Sequence, residues 1–288
     1  MKILFRPVTA LRLGRVSNLP TVWSNVLAAV ALGGSDLRDT AVLVLLVAFS
    51  LFYIGGMYLN DACDAAFDRQ FRPERPIPKG EVSRPSVLGT GFVMLTAGLF
   101  LLTGAGGWAW QPFVAGLALA ATIIIYDAWH KGNPVGPALM ALCRSLVYVG
   151  AGAAVAPLPA APVWAAASVS LCYVIGLTYA AKQEYAAGRP ALWPFALLVA
   201  PFVWGLAATA TAPLALVPMG GLAVVVAYAL AMLRLGGPEI GRGVAALIAG
   251  ISLVDAIYLM TAGSVSGGVL CMGAFALTLA LQRVVPGT

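Results

Sequence analysis

Charge is what this sequence has least of: only 10% of its 288 residues are Asp, Glu, Lys or Arg, against about a quarter in a soluble domain. Together with 61% hydrophobic residues and a mean hydropathy of +0.92, that scarcity excludes a single water-soluble globule. It also excludes a disordered chain, which needs a polar composition. Cysteine is scarce as well. Cys63, Cys143, Cys172 and Cys271 form no CxxC pair, so they suggest neither a zinc site nor a redox couple and read as small packing residues. The single histidine, His130, has no evident triad partner. The 32 glycines keep no three-residue period, which removes collagen-like architectures. What remains is an integral membrane protein.

The few charges divide the chain into apolar blocks. Val16 to Asn60, Pro85 to Tyr126, Ser145 to Ala181, Pro190 to Leu233 and Gly243 to Gln282 are each about twice the roughly 20 residues a helix needs to cross a bilayer. Each breaks near its middle: around Asp36, at Gly104 to Gly107, at Pro157-Leu158-Pro159, around Thr211-Ala212-Pro213, and at Gly263 to Gly268. Five helical hairpins follow, giving an all-α, polytopic bundle of ten transmembrane helices, with nine as the alternative, and a single membrane domain over residues 1–288. The 17 Lys and Arg residues give a net charge of +6. They gather before the first helix and between hairpins, among them Arg69, Arg72, Arg75, Lys79 and Arg84, with Lys131 and Arg144 after the second hairpin. Their distribution is that of a membrane protein and not of a nucleic-acid-binding patch. By the positive-inside rule the N-terminus and the inter-hairpin loops lie in the cytoplasm, as expected of a multi-pass protein of the cell (inner) membrane. The first apolar stretch follows basic residues in the manner of a signal peptide, but is expected to stay as an anchoring helix.

Where the second helix leaves the membrane, the sequence runs Asn60-Asp61-Ala62-Cys63-Asp64-Ala65-Ala66-Phe67-Asp68. A spacing of four sets Asn60, Asp64 and Asp68 along one helix face, each about 40° round from the last. Aligned carboxylates beside a low-dielectric medium repel one another unless cations neutralise them. Hard divalent cations such as Mg²⁺ take carboxylate and amide oxygens and commonly share their shell with phosphate, so the pattern suits a metal–diphosphate site. The plainer alternative is a solvated helix end whose acids pair with Arg69, Arg72 and Arg75. The segment that follows, Arg72-Pro73-Glu74-Arg75-Pro76-Ile77-Pro78-Lys79-Gly80, is stiff and basic, and can fold back over bound phosphates.

Asn60 to Asp68 followed by Arg75-Pro76-Ile77-Pro78-Lys79-Gly80 resembles the first motif of the UbiA superfamily of intramembrane prenyltransferases, in pattern and in its place between the second and third helices. Arg15-Val16-Ser17-Asn18 resembles the polar start of that family's first helix, and Tyr126 to Asn133 its loop between helices four and five. The resemblance implies Mg²⁺-dependent transfer of a prenyl group from a polyprenyl diphosphate to a lipophilic, commonly aromatic, acceptor in a cavity open to membrane lipid. It places Asn60, Asp61, Asp64 and Asp68 at the metal. It gives Asp64, Asp68 and Lys131 the catalytic roles, and gives substrate binding to Arg15, Asn18, Arg72, Arg75, Lys131, Tyr179, Lys182 and Glu184.

The sequence departs from the family at its second aspartate motif, since Thr178 to Tyr185 contains no Asp, only Lys182 and Glu184. Lys182 is expected to contact diphosphate in place of a second metal. Tyr53, Tyr58, Tyr173, Tyr179 and Tyr185 are expected near the site, either facing a prenyl cation or serving as packing and interfacial aromatics. Arg144 and Asp255 fall near or within the lipid core, where each must face the bundle interior or pair. Asp127 is expected to support neighbouring groups, and His130 to anchor its loop at the interface. Two other functions compete. A CDP-alcohol phosphotransferase needs a Gly and an Ala-Arg that do not follow Asp61-Ala62-Cys63-Asp64. A non-catalytic isoprenoid-binding, lipid-binding or transport protein on the same fold is favoured by the missing second motif and opposed by the intact first one.

Overall fold

The computed structural model describes residues 6–182, 193–237, 239–285 and 287, and among them all regular structure is helical. A short helix α1 (Pro7–Leu13) and one 3-10 turn (Val16–Asn18) lead into α2 (Leu19–Leu32), with Pro20 in its first turn, where a missing N–H costs nothing. Then come α3 (Thr40–Phe71), α4 (Arg84–Ala105), α5 (Trp110–Trp129), α6 (Gly136–Val155) and α7 (Ala161–Lys182). Two short helices, α8 (Pro194–Leu197) and α9 (Ala200–Ala208), precede α10 (Leu216–Leu235), α11 (Glu239–Thr261) and α12 (Val265–Gln282). Asp39 caps α3 by accepting from the Ala41 N–H at 2.9 Å, and Ser83 caps α4.

The expected hairpin breaks fall between these helices. Among the described residues eight helices are long and apolar enough to cross a membrane, with two shorter apolar stretches, Val16–Leu32 and Pro194–Ala208, beside them, roughly in line with the nine or ten helices expected. The second of these stretches is divided into two helices, with Pro194 and Pro201 in their first turns. Exposed Leu43, Val93, Phe100, Val224 and Leu277 form a lipid-facing exterior, and Trp108 and Trp110 sit exposed at the α4–α5 turn, as an interfacial belt requires. The interior is organised around α11, whose stretch from Ala249 to Met260 is buried throughout.

Arg144, counted among the bases after the second hairpin and also expected near or within the lipid core, takes the second of these positions. It lies inside α6, which begins at Gly136, and is held there by hydrogen bonds to Asn25 and Thr21 of α2. By contrast, α3 is longer than a bilayer needs: its 32 residues span about 48 Å against a hydrocarbon core of about 30 Å. Its last three turns, which carry the acids, therefore project past the apolar layer.

Close approach of α3 and α4 fixes that projection. A Cβ at Gly98 would come within 2.9 Å of the Ala48 carbonyl oxygen, and one at Gly55 within 3.0 Å of that of Gly91, so the two backbones touch where side chains are absent. Gly98→Val is expected to destabilise the protein by about 1–3 kcal/mol, read as a lower thermal midpoint in detergent. Gly89→Val on the same helix meets nothing within 4 Å and should leave the midpoint unchanged. Equal midpoints for both variants would contradict this packing.

Candidate active site

The acids at the end of α3 are all buried, but they do not converge on one point. Asp61 and Asp68, two turns apart, face the segment that follows the helix. Arg75 Nη1 lies 2.9 Å from Asp61 Oδ1 and 3.3 Å from Asp68 Oδ2. Asn60 and Asp64 face the α5 side. Asn60 Nδ2 donates to Asp127 Oδ1 at 3.1 Å, and Asp64 Oδ1 takes Lys131 Nζ at 2.8 Å with His130 Nε2 at 3.6 Å. Arg15 closes the gap between the two groups, with Nη2 3.3 Å from Asn60 Oδ1 and 3.2 Å from Asp61 Oδ1. The single face expected from the spacing thus divides in two, because basic side chains approach α3 from both sides.

Each basic group is positioned by local structure. Arg15 has a left-handed backbone (φ 42°) ahead of the 3-10 turn, a conformation costing a non-glycine residue about 1–2 kcal/mol, and its carbonyl accepts from Tyr53 Oη at 3.3 Å. Arg75 belongs to the proline-rich segment, which folds back against the end of α3. That segment is pinned by Ile77, buried with Leu13, Tyr58, Ala62, Ala65 and Val87 in a small apolar cluster, and by Glu81, which accepts from Thr9 Oγ1 of α1 at 2.8 Å. Arg72 forms the C-cap of α3, at the base of this segment.

Lys131 lies on the loop after α5, with its ammonium 3.6 Å from the centroid of the Phe67 ring. Two contacts from α7 hold this loop: Lys182 Nζ donates to the Asn133 carbonyl at 3.1 Å, and Tyr179 Oη donates to that of Pro134 at 3.1 Å. Lys182 therefore reaches the active-site loop, while Glu184 and Tyr185 lie outside the described residues. His130 stacks on Tyr126, with centroids 4.9 Å apart, and its Nδ1 donates to the Tyr126 carbonyl, which can only accept. Burial opposes its protonation, but the hydrogen bond and charge of Asp64 outweigh burial and raise its pKa.

Beside this cluster opens a cavity of about 290 Å³. Arg15, Asn18, Tyr126, Asp127 and Arg144 supply its polar wall, and Phe49, Phe52, Leu119, Ile123, Val147 and Ile248 are among its apolar lining. Asn18 is further tied to the end of the chain, donating to the Gly287 carbonyl at 2.9 Å and accepting from Gln282 Nε2 at 3.0 Å. Of the tyrosines expected near the site, Tyr53 lines the cavity. Tyr58 and Tyr173 instead bond backbone carbonyls of α1 and α11, and Tyr179 packs edge-on against Trp193. Phe49, Phe52 and Tyr126, which sequence reasoning did not place at the cavity, complete its aromatic lining with Tyr53. A signal for the first two was present, since Phe49, Phe52, Tyr53 and Gly56 recur on one face of α3 at helical spacing.

The donor set suits Mg²⁺ arriving with a diphosphate. Asp68 Oδ1 and Asp127 Oδ2 are buried carboxylate oxygens with no hydrogen-bond partner. Among the described residues no three Asp, Glu, His or Cys side chains gather closely enough to form a protein cage.

Comparison with known proteins agrees with this architecture. A stretch of 115 residues is 36% identical to the digeranylgeranylglyceryl phosphate synthase of Methanoregula boonei, covering 39% of each chain. A stretch of 201 residues is 28% identical to the protoheme IX farnesyltransferase of Korarchaeum cryptofilum, covering 62% of this chain and 60% of that protein. The chain thus matches less than two thirds of the length of these curated relatives. Among solved structures, one from work on digeranylgeranylglyceryl phosphate synthase superposes with a TM-score of 0.61 at 19% identity, over 90% of this chain and 98% of the other. The apo structure of a UbiA homologue from Aeropyrum pernix K1 gives 0.50 at 14% identity, over 94% and 97%. At these identities the structures show a shared fold. The model of the UbiA prenyltransferase family matches residues 17–285, and the chain belongs to that family.

Proposed function

We propose that this protein transfers a prenyl group from a polyprenyl diphosphate to a lipophilic acceptor inside the membrane, with Mg²⁺ as the diphosphate's counter-ion. The observation that carries this reading is a juxtaposition: a cluster of acids and bases suited to diphosphate beside a cavity lined by Phe49, Phe52, Tyr53 and Tyr126. Asn60, Asp61, Asp64 and Asp68 were expected at the metal together, but they lie in two groups, so one or two of these carboxylates with the substrate's own phosphates would hold it, and the ion would supply charge stabilisation for the departing pyrophosphate. Lys131, Arg75 and Arg72 grip the diphosphate oxygens, and Lys182 and Tyr179 hold the loop that presents Lys131. When the allylic C–O bond breaks, its electron pair leaves with pyrophosphate. The positive charge left on the prenyl carbon then faces aromatic rings and little water, an environment that favours bond formation to the acceptor, which gives up one proton, over hydrolysis.

Binding of geranylgeranyl thiodiphosphate, an unreactive donor analogue, tests the site. Replacing Mg²⁺ with EDTA is expected to weaken it by about tenfold or more, the loss of at least one charge-assisted contact. Equal affinity in both buffers would assign diphosphate binding to the basic residues alone. The same reading puts the segment from Arg69 to Arg84 on the cytoplasmic side. In a chain whose four native cysteines are replaced, a cysteine at Glu74 should react with an impermeant maleimide in inside-out vesicles and not in right-side-out ones. The opposite pattern would invert the topology.

A further inference from the structure

Beyond the diphosphate cluster, the cavity carries a second cation. Arg144 lies eight residues into α6 from Gly136, about 12 Å along the helix, and lines the cavity. A guanidinium at this depth of an apolar bundle is costly unless it is paired or put to use. Its partners are neutral: Nη1 donates to Asn25 Oδ1 at 2.9 Å and Nη2 to Thr21 Oγ1 at 3.3 Å. Among the described residues no carboxylate lies within ion-pair distance of it.

The nearest acid in this network, Asp255, is fully buried and already engaged. It accepts from Ser24 Oγ at 2.5 Å, from Asn25 Nδ2 at 2.8 Å and from Tyr148 Oη. The Asn25 amide is thus interposed, its oxygen toward Arg144 and its nitrogen toward Asp255. A structural ion pair would have brought the two charges together. Here the counter-charge offsets burial at one remove, and α2 holds Arg144 by two of its five N–H donors.

We infer that Arg144 is a recognition point for an oxyanion, phosphate or carboxylate, carried by the acceptor substrate. This rests on the prenyl-transfer reading above for the word acceptor. A prenyl chain is hydrocarbon and offers a guanidinium nothing, and the donor's diphosphate has Lys131, Arg72 and Arg75. A planar fork with free donors, fixed by neutral tethers in a cavity of low polarity, matches the geometry of an anionic head group.

The test compares three probes of one chain length, tetradecyl phosphate, tetradecanoate and tetradecanol. Binding to the full chain, saturated with Mg²⁺ and geranylgeranyl thiodiphosphate, is followed by native mass spectrometry. Wild type is expected to prefer one or both anionic probes over the alcohol by about tenfold or more, and the preferred anion identifies the head group. Arg144→Gln should abolish that preference while binding the donor analogue within about twofold of wild type, and Arg144→Lys should keep part of it. An Arg144 that only joins α2 to α6 would lower the thermal midpoint of the Gln variant and leave the preference intact, which would overturn the inference. So would a wild type with no preference, a comparison that needs no variant to fold. If the donor analogue itself does not bind, the prenyl-transfer reading fails, and the same comparison run without it still decides whether Arg144 reads an anion.

Discussion

Asp64→Asn is expected to reduce turnover by on the order of 10²–10³-fold, the range seen when one charge-stabilising group is removed from a transition state. Asp64 Oδ1 is the point at which Lys131 and His130 meet, so on the proposed function the substitution would remove a metal oxygen donor and release the cation that grips the diphosphate. The fold should tolerate it. Asparagine is isosteric with aspartate, and the Lys131 side chain it frees is 37% exposed, so water screens the unpaired charge and the stability loss should stay below about 1 kcal/mol. Turnover and thermal midpoint measured on the same preparation check both halves. Near-normal turnover in a well-folded Asp64→Asn protein would remove Asp64 from the chemistry.

Arg75→Gln is expected to act the other way round, on stability as much as on activity. Arg75 bridges Asp61 and Asp68, whose side chains are 8% and 2% exposed, and Asp68 Oδ1 already lacks a partner. Removing the guanidinium leaves a buried carboxylate without its counter-charge, a change that costs about 3–5 kcal/mol in buried pairs. The proline-rich segment would then be held mainly by Ile77 and by the contact between Glu81 and Thr9. Asp68→Asn introduced into the same chain should restore most of the thermal midpoint, because it removes the orphaned charge, and should not restore donor binding. The four midpoints form a double-mutant cycle. A single variant that melts with wild type, or a double variant no more stable than Arg75→Gln, would show that Arg75 neutralises nothing.

Why some of this was legible in the sequence and some was not follows from the distances involved. The breaks at Gly104 to Gly107 and Pro157 to Pro159 are local signals, and the helices stop there. The spacing of Asn60, Asp64 and Asp68 is likewise local, and it placed the acids on the projecting end of α3. Which way each acid turns depends on Arg15, Arg75 and Lys131, brought in from three other parts of the chain, and no periodicity along α3 encodes that. Arg144 shows the same limit. Read along the chain it falls near or within the lipid core and must face the interior or pair, but its partners, Thr21 and Asn25 on one polar stripe of α2, come from a distant helix that no local pattern names. The missing second aspartate motif was visible as an absence, whereas the tie from Lys182 to the Asn133 carbonyl needed the packing of α7 against the Lys131 loop.

The central claim is that the diphosphate cluster and the cavity act as one catalytic site, and product formation tests it most directly. Purified protein in lipid nanodiscs is incubated with Mg²⁺, a panel of prenyl diphosphates and a cell lipid extract, and scored by mass spectrometry beside Asp64→Asn. The expected result is a wild-type product heavier than its acceptor by one prenyl group less one hydrogen, formed with equimolar pyrophosphate and lost in Asp64→Asn. Donor binding with neither product nor pyrophosphate release would contradict catalysis and leave an isoprenoid-binding protein on a prenyltransferase fold.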